Sequence, residues 1–337
     1  MAEAQANAIG DRTRLGWAHA YLAHALYISG NSRGAIEAAQ ESLVIADSLA
    51  DPALLEWTNL YRAQVAHWVG DYRHAIELLR HNVTTLEPEL ERRGLGSRQS
   101  VNSRTYLAWC LAELGEFQEA LALTNEAIAT AAAADNAYWL VHACFGAGLV
   151  HLRRGAFDEA RSVAERAVEL CGGRDFSVLW AIPAAILGLA YARAGRFADA
   201  IPLLERAADL ASMLGAPILS FLAEAKLLSG RADEAWGIAQ RALQLSVERE
   251  ERGWAAWALW VLGEIAATRA ELDTPSAEDA YRRALAAADE LGMRPLAAQC
   301  HLGLGTLDRR AGTPPQALDH LETARAMFRE MNMVTPL

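Results

Sequence analysis

The stretch Gly30-Asn31-Ser32-Arg33-Gly34 matches G-x-S-x-G, the pattern that presents a nucleophilic serine in hydrolases. That chemistry needs a strand entering the turn and a sheet beneath it. Forty residues on, Gly70-Asp71-Tyr72-Arg73-His74 stands in the equivalent place without a serine. The match is therefore read as a helix–helix turn rather than a catalytic Ser32. Metal chemistry fares no better. His74 and Glu77 form a lone His-x-x-Glu, whereas a carboxylate-bridged di-metal bundle needs that pair twice plus two further glutamates. Cys110, Cys144, Cys171 and Cys300 lie far apart with no Cys-x-x-Cys, which excludes a zinc knuckle or disulfide framework and suits a reducing compartment. Of 31 basic residues only Lys226 is lysine, and Ala223-Glu224-Ala225-Lys226 is no phosphate loop. Gly146-Ala147-Gly148 and Gly303-Leu304-Gly305 lie inside helical patterns, where close packing explains them. These readings give no catalytic residue, no metal and no cofactor.

The elements that carry these residues are repeats. A turn glycine recurs as Gly30, Gly70, Gly115, Gly155, Gly195, Gly230 and Gly312, and five residues after each comes an alanine, from Ala35 to Ala317. Seven residues before each stands a minimal side chain: Ala23, Ala63, Ala108, Gly148, Gly188, Ala223 and Gly305. Helical apolar stripes flank every turn, as in Leu107, Leu111 and Leu114 before Gly115. An eighth, irregular copy uses Gly263, Ala277, Tyr281 and Ala284. One such hairpin cannot cover its own apolar face, so copies must stack. The expected fold is all-α, a right-handed superhelical solenoid of about eight antiparallel helix pairs, forming one domain over 1–337. Residues 1–14 are expected to be the tail of a preceding second helix, 86–103 an enlarged inter-repeat loop around Gly94 and Gly96, and 332–337 the lead-in to a further repeat. Both ends thus suggest a segment of a longer protein.

The small residue, glycine, aromatic, alanine and alanine pattern resembles the tetratricopeptide repeat over essentially the whole chain. Leu107-Ala108-Trp109, Leu262-Gly263-Glu264, Ala280–Leu296 and Cys300–Gly305 are similar to the C-terminal repeat region of bacterial proteins that join a class III adenylate or guanylate cyclase to a regulatory ATPase module. That resemblance implies a signal-input arm.

Net charge is −11 with scattered basic residues, which argues against nucleic-acid binding. No run approaches the length of a membrane span, and the amino terminus lacks a secretory pattern, so the expected location is cytoplasmic. Nine of ten tryptophans fall on first helices, the helices that line the concave face of such a stack. A stripe with 3-4-3 spacing gives the expected partner-binding groove: Trp17, His24, Tyr27, Trp57, Gln64, His67, Asn102, Trp109, His142, Phe145, Trp257, Trp260 and Glu264. The competing expectation is that these tryptophans pack between units as core. The groove predicts a non-catalytic scaffold for a partner peptide or helix. A small-molecule sensor whose ligand alters superhelix shape is the alternative. Self-assembly through the open ends, giving a weak homo-oligomer in place of a monomer, is the third.

Overall fold

The computed structural model describes residues 11–96, 99–172, 177–210, 215–268, 274–312 and 314–334. Eight antiparallel helical hairpins follow one another among these residues in a right-handed superhelix. Unit one pairs α1 (Arg12–Ile28) with α2 (Ser32–Leu49), and unit two pairs α3 (Pro52–Val69) with α4 (Tyr72–His81). A π-helical turn, Asn82–Leu86, carries α4 into α5 (Glu87–Arg92). Then come α6 (Ser100–Leu114) with α7 (Phe117–Ala133), α8 (Ala137–Arg154) with α9 (Phe157–Cys171), and α10 (Ser177–Arg193) with α11 (Phe197–Leu210). The last three pairs are α12 (Gly215–Leu228) with α13 (Ala232–Glu248), α14 (Arg252–Thr268) with α15 (Thr274–Leu291), and α16 (Arg294–Ala311) with α17 (Pro314–Glu330).

Local chemistry sets the hairpins. Asp51 and Asp71 cap the N-termini of α3 and α4 by accepting from backbone N–H groups within the next three residues. Gly70 ends α3 at φ 89°, which lets Asp71 N–H close back on the Ala66 carbonyl at 2.8 Å. The small residues bring paired helices together. A Cβ on Gly188 would stand 2.6 Å from Leu204 Cγ, and one on Gly263 2.7 Å from the Tyr281 ring. Asn31 accepts from Gly34 N–H and caps α2, so Ser32 is the first residue of a helix with a helix before it. That geometry is not a nucleophile elbow.

Two sequence boundaries are corrected. The enlarged loop expected over 86–103 is mostly helix: α5 runs to Arg92 and α6 starts at Ser100. The extra residue of the π turn absorbs the change of register, and buried Asn82 holds it, with Nδ2 donating to the Glu56 carbonyl at 2.9 Å. At the amino terminus α1 already begins at Arg12, capped by Asp11, so Arg12–Arg14 belong to a first helix. The rest of the expected 1–14 tail, residues 1–10, lies outside the described residues, as do 335–337.

The hairpins also pack along the superhelix axis. The turns of units one to three sit against the loops that follow the units five further on, and the turn of unit four against the segment that follows unit eight. Gly30 faces Arg249, Gly70 faces Leu291 and Arg252, Gly115 faces Met331 and Pro295, and Gly155 faces Val334. Val334 N–H donates to the Arg154 carbonyl at 2.8 Å, and Arg154 Nε to the Asn332 carbonyl at 3.0 Å. First helices meet in the same register, α14 on α3 and α16 on α6. The coil therefore closes on itself after five units.

Candidate functional site: the inner face of the superhelix

First helices do line the inside, and the closure divides that inside into three parts. On units one to four the rings form a continuous face. Trp17 meets Trp57 edge-on at 5.7 Å, His24 stacks on Tyr61 at 4.6 Å, and His142 lies 4.6 Å from Tyr138 and 5.2 Å from Phe145. Tyr21 and Tyr138 form its exposed rim at 52% and 42% accessibility, while Phe145 is buried. Below the rim, Gln64 stands beside the His24 ring, while Asn102 Oδ1 and both nitrogens of His142 have no hydrogen-bond partner. Burial lowers the His24 and His142 pKa values, that of His142 to about 4, so this face carries neutral imidazoles near pH 7.

The second part is a seal. Trp254 of α14 enters units two and three, 6.2 Å from Trp68 and 6.3 Å from Trp109. Glu113 sits beside it with side-chain accessibility of only 2%. Its carboxylate accepts from Arg153 Nε at 2.7 Å, Trp257 Nε1 at 3.0 Å and Trp109 Nε1 at 3.3 Å, joining units three, four and seven. The Arg153 guanidinium lies over the Trp257 ring at 4.0 Å. Tyr27, His67 and Trp109 are enclosed here; Trp109 is 2% exposed and presents no surface. His67 shares a hydrogen bond with Cys110 Sγ at 3.3 Å, and burial, aided by the Arg153 charge, holds its pKa down to about 3. Burial likewise pushes the Cys110 thiol far up, which leaves it unreactive.

The third part is open. A cavity of ≈ 540 Å³ lies between the turn of unit four, the end of α10, and helices α14, α15 and α16. A smaller lobe reaches Arg153, Glu224 and Trp257, sharing Phe157, Arg193, Trp260 and Gln299 with the larger one. Of the thirteen expected groove residues, Trp257, Trp260 and Glu264 are the ones gathered at this space, away from the ring face of units one to four. Glu264 accepts from the Tyr281 hydroxyl at 2.7 Å, and burial raises its pKa. Arg193 pairs with Glu224 across the wall.

Sequence reasoning passed over Glu113, Arg153, Arg193 and Arg310. All four stand two residues before a turn glycine, a position that reads as solvated surface in any single unit. A charge recurring there in four units was the available signal. Carrying the 3-4-3 stripe into units six and eight would have added Ser220, Glu224, Gln299, Leu302 and Thr306, all of them cavity residues. Among the described residues no group of three or more His, Cys, Asp or Glu side chains could hold a metal ion. Nor is any described helix long and apolar enough to cross a membrane.

Tetratricopeptide-repeat family models match residues 102–126, 141–166 and 185–212, which fall on α6 to α11. The chain carries tetratricopeptide repeats. No curated protein sequence matches it significantly. Among solved structures, its repeats superpose on the Rap conjugation gene regulator of plasmid pLS20 in complex with the Phr* peptide. The TM-score is 0.65 at 12% identity, covering 89% of this chain and 84% of that one. NprR in complex with its cognate peptide NprX gives 0.64 at 12% identity over 94% and 88% of the two chains. The apo form of the quorum sensor NprR from B. thuringiensis gives 0.58 at 12% identity over 93% and 87%. At these identities the likeness is one of fold.

Proposed function

We propose that this chain is a non-catalytic interaction scaffold. It captures a partner peptide or helical segment on its inner face and passes that occupancy to a larger regulator of the cyclase or ATPase type. The observation that carries the reading is the cavity itself: units four, five, seven and eight converge on a space that their own side chains leave unfilled. Its walls combine apolar Phe157, Leu302 and Leu307 with a few polar groups, the composition that orients a bound segment while burying it. The ring face with Trp17, Trp57, His24, Gln64, Asn102 and His142 supplies a second contact surface for a longer partner. The solved relatives named for their bound peptides support the same reading. So does the way α14 bridges distant units, because a ligand held by α14 and α16 bears directly on the closure of the coil.

The test is a cavity-filling variant. Thr306→Trp should abolish retention of the partners that wild-type chain captures from its source cells, as quantified by mass spectrometry, with the helical unfolding transition retained. Unchanged partners in the folded variant would refute the site. The cavity volume also falls in the range of about 300–1,000 Å³ that suits small molecules, so a sensor for a metabolite is the second reading. Quenching of Trp260 fluorescence by a metabolite panel, absent in Thr306→Trp, distinguishes it.

A further inference from the structure

Two imidazoles meet across the last hairpin. Gly305 of α16 lets α17 come close: a Cβ there would stand 2.7 Å from Leu321 Cγ and 3.1 Å from the Ala317 carbonyl oxygen. His301 lies one turn before Gly305, and His320 is next to Leu321, so the same close contact sets the two rings against each other. One Nδ1 donates to the other at 2.8 Å, with ring centroids 5.1 Å apart. Both residues are half-buried, which leaves part of each to solvent. Burial and the neighbouring ring lower the His301 pKa, with Asp289 of α15 opposing, so this imidazole is neutral near pH 7.

The separation of the two nitrogens matches a particular coordination geometry. Ligands about 2.0 Å from an ion stand about 2.8 Å apart at a right angle and about 3.3 Å apart at the tetrahedral angle. The pair is therefore already spaced for two adjacent positions on a tetragonal ion. Among the described residues no third His, Cys, Asp or Glu completes a larger group with them, so water takes the remaining positions.

We propose that His301 and His320 form a two-imidazole site for a tetragonal divalent ion, copper(II) ahead of nickel(II) and zinc(II). The donating ring takes its other tautomer, with the proton on Nε2. Each ring then turns by about 45°, and both Nδ1 lone pairs become ligands in adjacent positions. Affinity follows the order of divalent ions on nitrogen ligands, which puts copper(II) first. A bound ion ties α16 to α17, in the unit whose following residues Asn332 and Val334 hold Arg154 of unit four. This site is separate from the inner-face reading and stands or falls without it.

The full chain is titrated with copper(II) sulfate by calorimetry, with glycine present as a weak competing chelator. Wild type should take up one equivalent at least about tenfold more tightly than His301→Gln or His320→Gln, since losing even an outer-shell partner of a metal site costs that much. The half-buried pair should leave the metal-free thermal midpoint of both variants within a few degrees of wild type. Spin-echo spectroscopy of the wild-type one-to-one complex should count two equatorial imidazoles, a reading that needs no variant to fold. Equal affinity in wild type and both variants means binding to scattered surface histidines only and overturns the site. So does a wild-type complex with fewer than two equatorial imidazoles. Zinc(II) bound more tightly than copper(II) would overturn the tetragonal assignment.

Discussion

Gly115 and Gly195 occupy the same place in the third and fifth repeats and have nearly the same conformation, φ 86° and 74°. Their surroundings differ. A Cβ on Gly115 would run into Met331 Sδ, and one on Gly155 would stand 2.6 Å from the Val334 carbonyl oxygen. Around Gly195, Gly230 and Gly312 there is nothing within 4 Å. In the early units the glycine serves the turn and the axial seat together, whereas in the later units it serves the turn alone. The inner face divides correspondingly, with a sealed interior where early units carry the next coil and an open cavity beyond the turn of unit four. A repeat motif therefore fixes the hairpin, and only the neighbour five units away decides whether its edge is interior or surface.

The strongest way to break this division is to remove the seal. Glu113→Ala strips donors of units three, four and seven of their shared acceptor and leaves Arg153 buried without its partner, a loss of about 3–5 kcal/mol. Denaturant unfolding measures it, and a loss below about 1 kcal/mol would show that the pair does not hold the coil. Its counterpart among the outer ion pairs is Glu205→Ala. Lys226 keeps Glu234 at 3.2 Å, and both carboxylates are half-exposed, so the expected loss is under about 1 kcal/mol.

Paired alanine substitutions at the turns sharpen the comparison further. Gly115→Ala and Gly195→Ala share the left-handed penalty of about 1–2 kcal/mol. Gly115→Ala should lose at least about 1 kcal/mol more, from overpacking against Met331. It alone should enlarge the radius measured by small-angle scattering. Equal losses and equal radii would remove the axial seat from the account.

A third test uses pH. Glu251 lies in the loop that precedes α14, near Tyr27 of unit one; burial raises its pKa to about 7, with Arg249 opposing. The folded state then holds the proton more tightly than the unfolded chain. The stabilisation is full below about pH 4.5 and is lost as pH rises through 7. Glu251→Gln should gain about 2 kcal/mol relative to wild type between pH 5 and pH 8. His67 works in the opposite sense, because its depressed pKa favours the unfolded chain as pH falls from 6.5 towards 3. His67→Gln should flatten the acid limb of the stability profile by up to about 1.4 kcal/mol per pH unit, and by less at pH 6. An unchanged acid slope would locate the sensitivity elsewhere, His142 being the next candidate.

The hairpins were legible in the sequence because their rules are local: a left-handed glycine, a small residue at each helix contact, an apolar stripe. The placement of tryptophan on first helices was legible for the same reason. The register of one coil on the next was not, since it depends on small rotations summed over five units that leave no mark in any one of them. Trp109 and Trp260 both read as groove; one lies under Trp254 and the other on a cavity wall. Glu113 and Arg153, forty residues apart, each read as an ordinary surface charge because their partners come from other units. The extension of α4 through Asn82–Leu86 was hidden because Gly94 and Gly96 dominate the pattern there, although a helix continues almost up to them.

Spin labels at Arg73→Cys and Glu290→Cys test the closure most directly. Both positions lie on the seam between units two and seven, where a Cβ on Gly292 would approach Arg73 Nη2 to 3.6 Å. The four native cysteines are buried and leave the introduced thiols as the reactive ones. A closed coil predicts a short, narrow distance distribution by pulsed electron resonance, broadened in Glu113→Ala. A long, broad distribution in the otherwise native chain would contradict the closure, and with it the division of the inner face into seal and cavity.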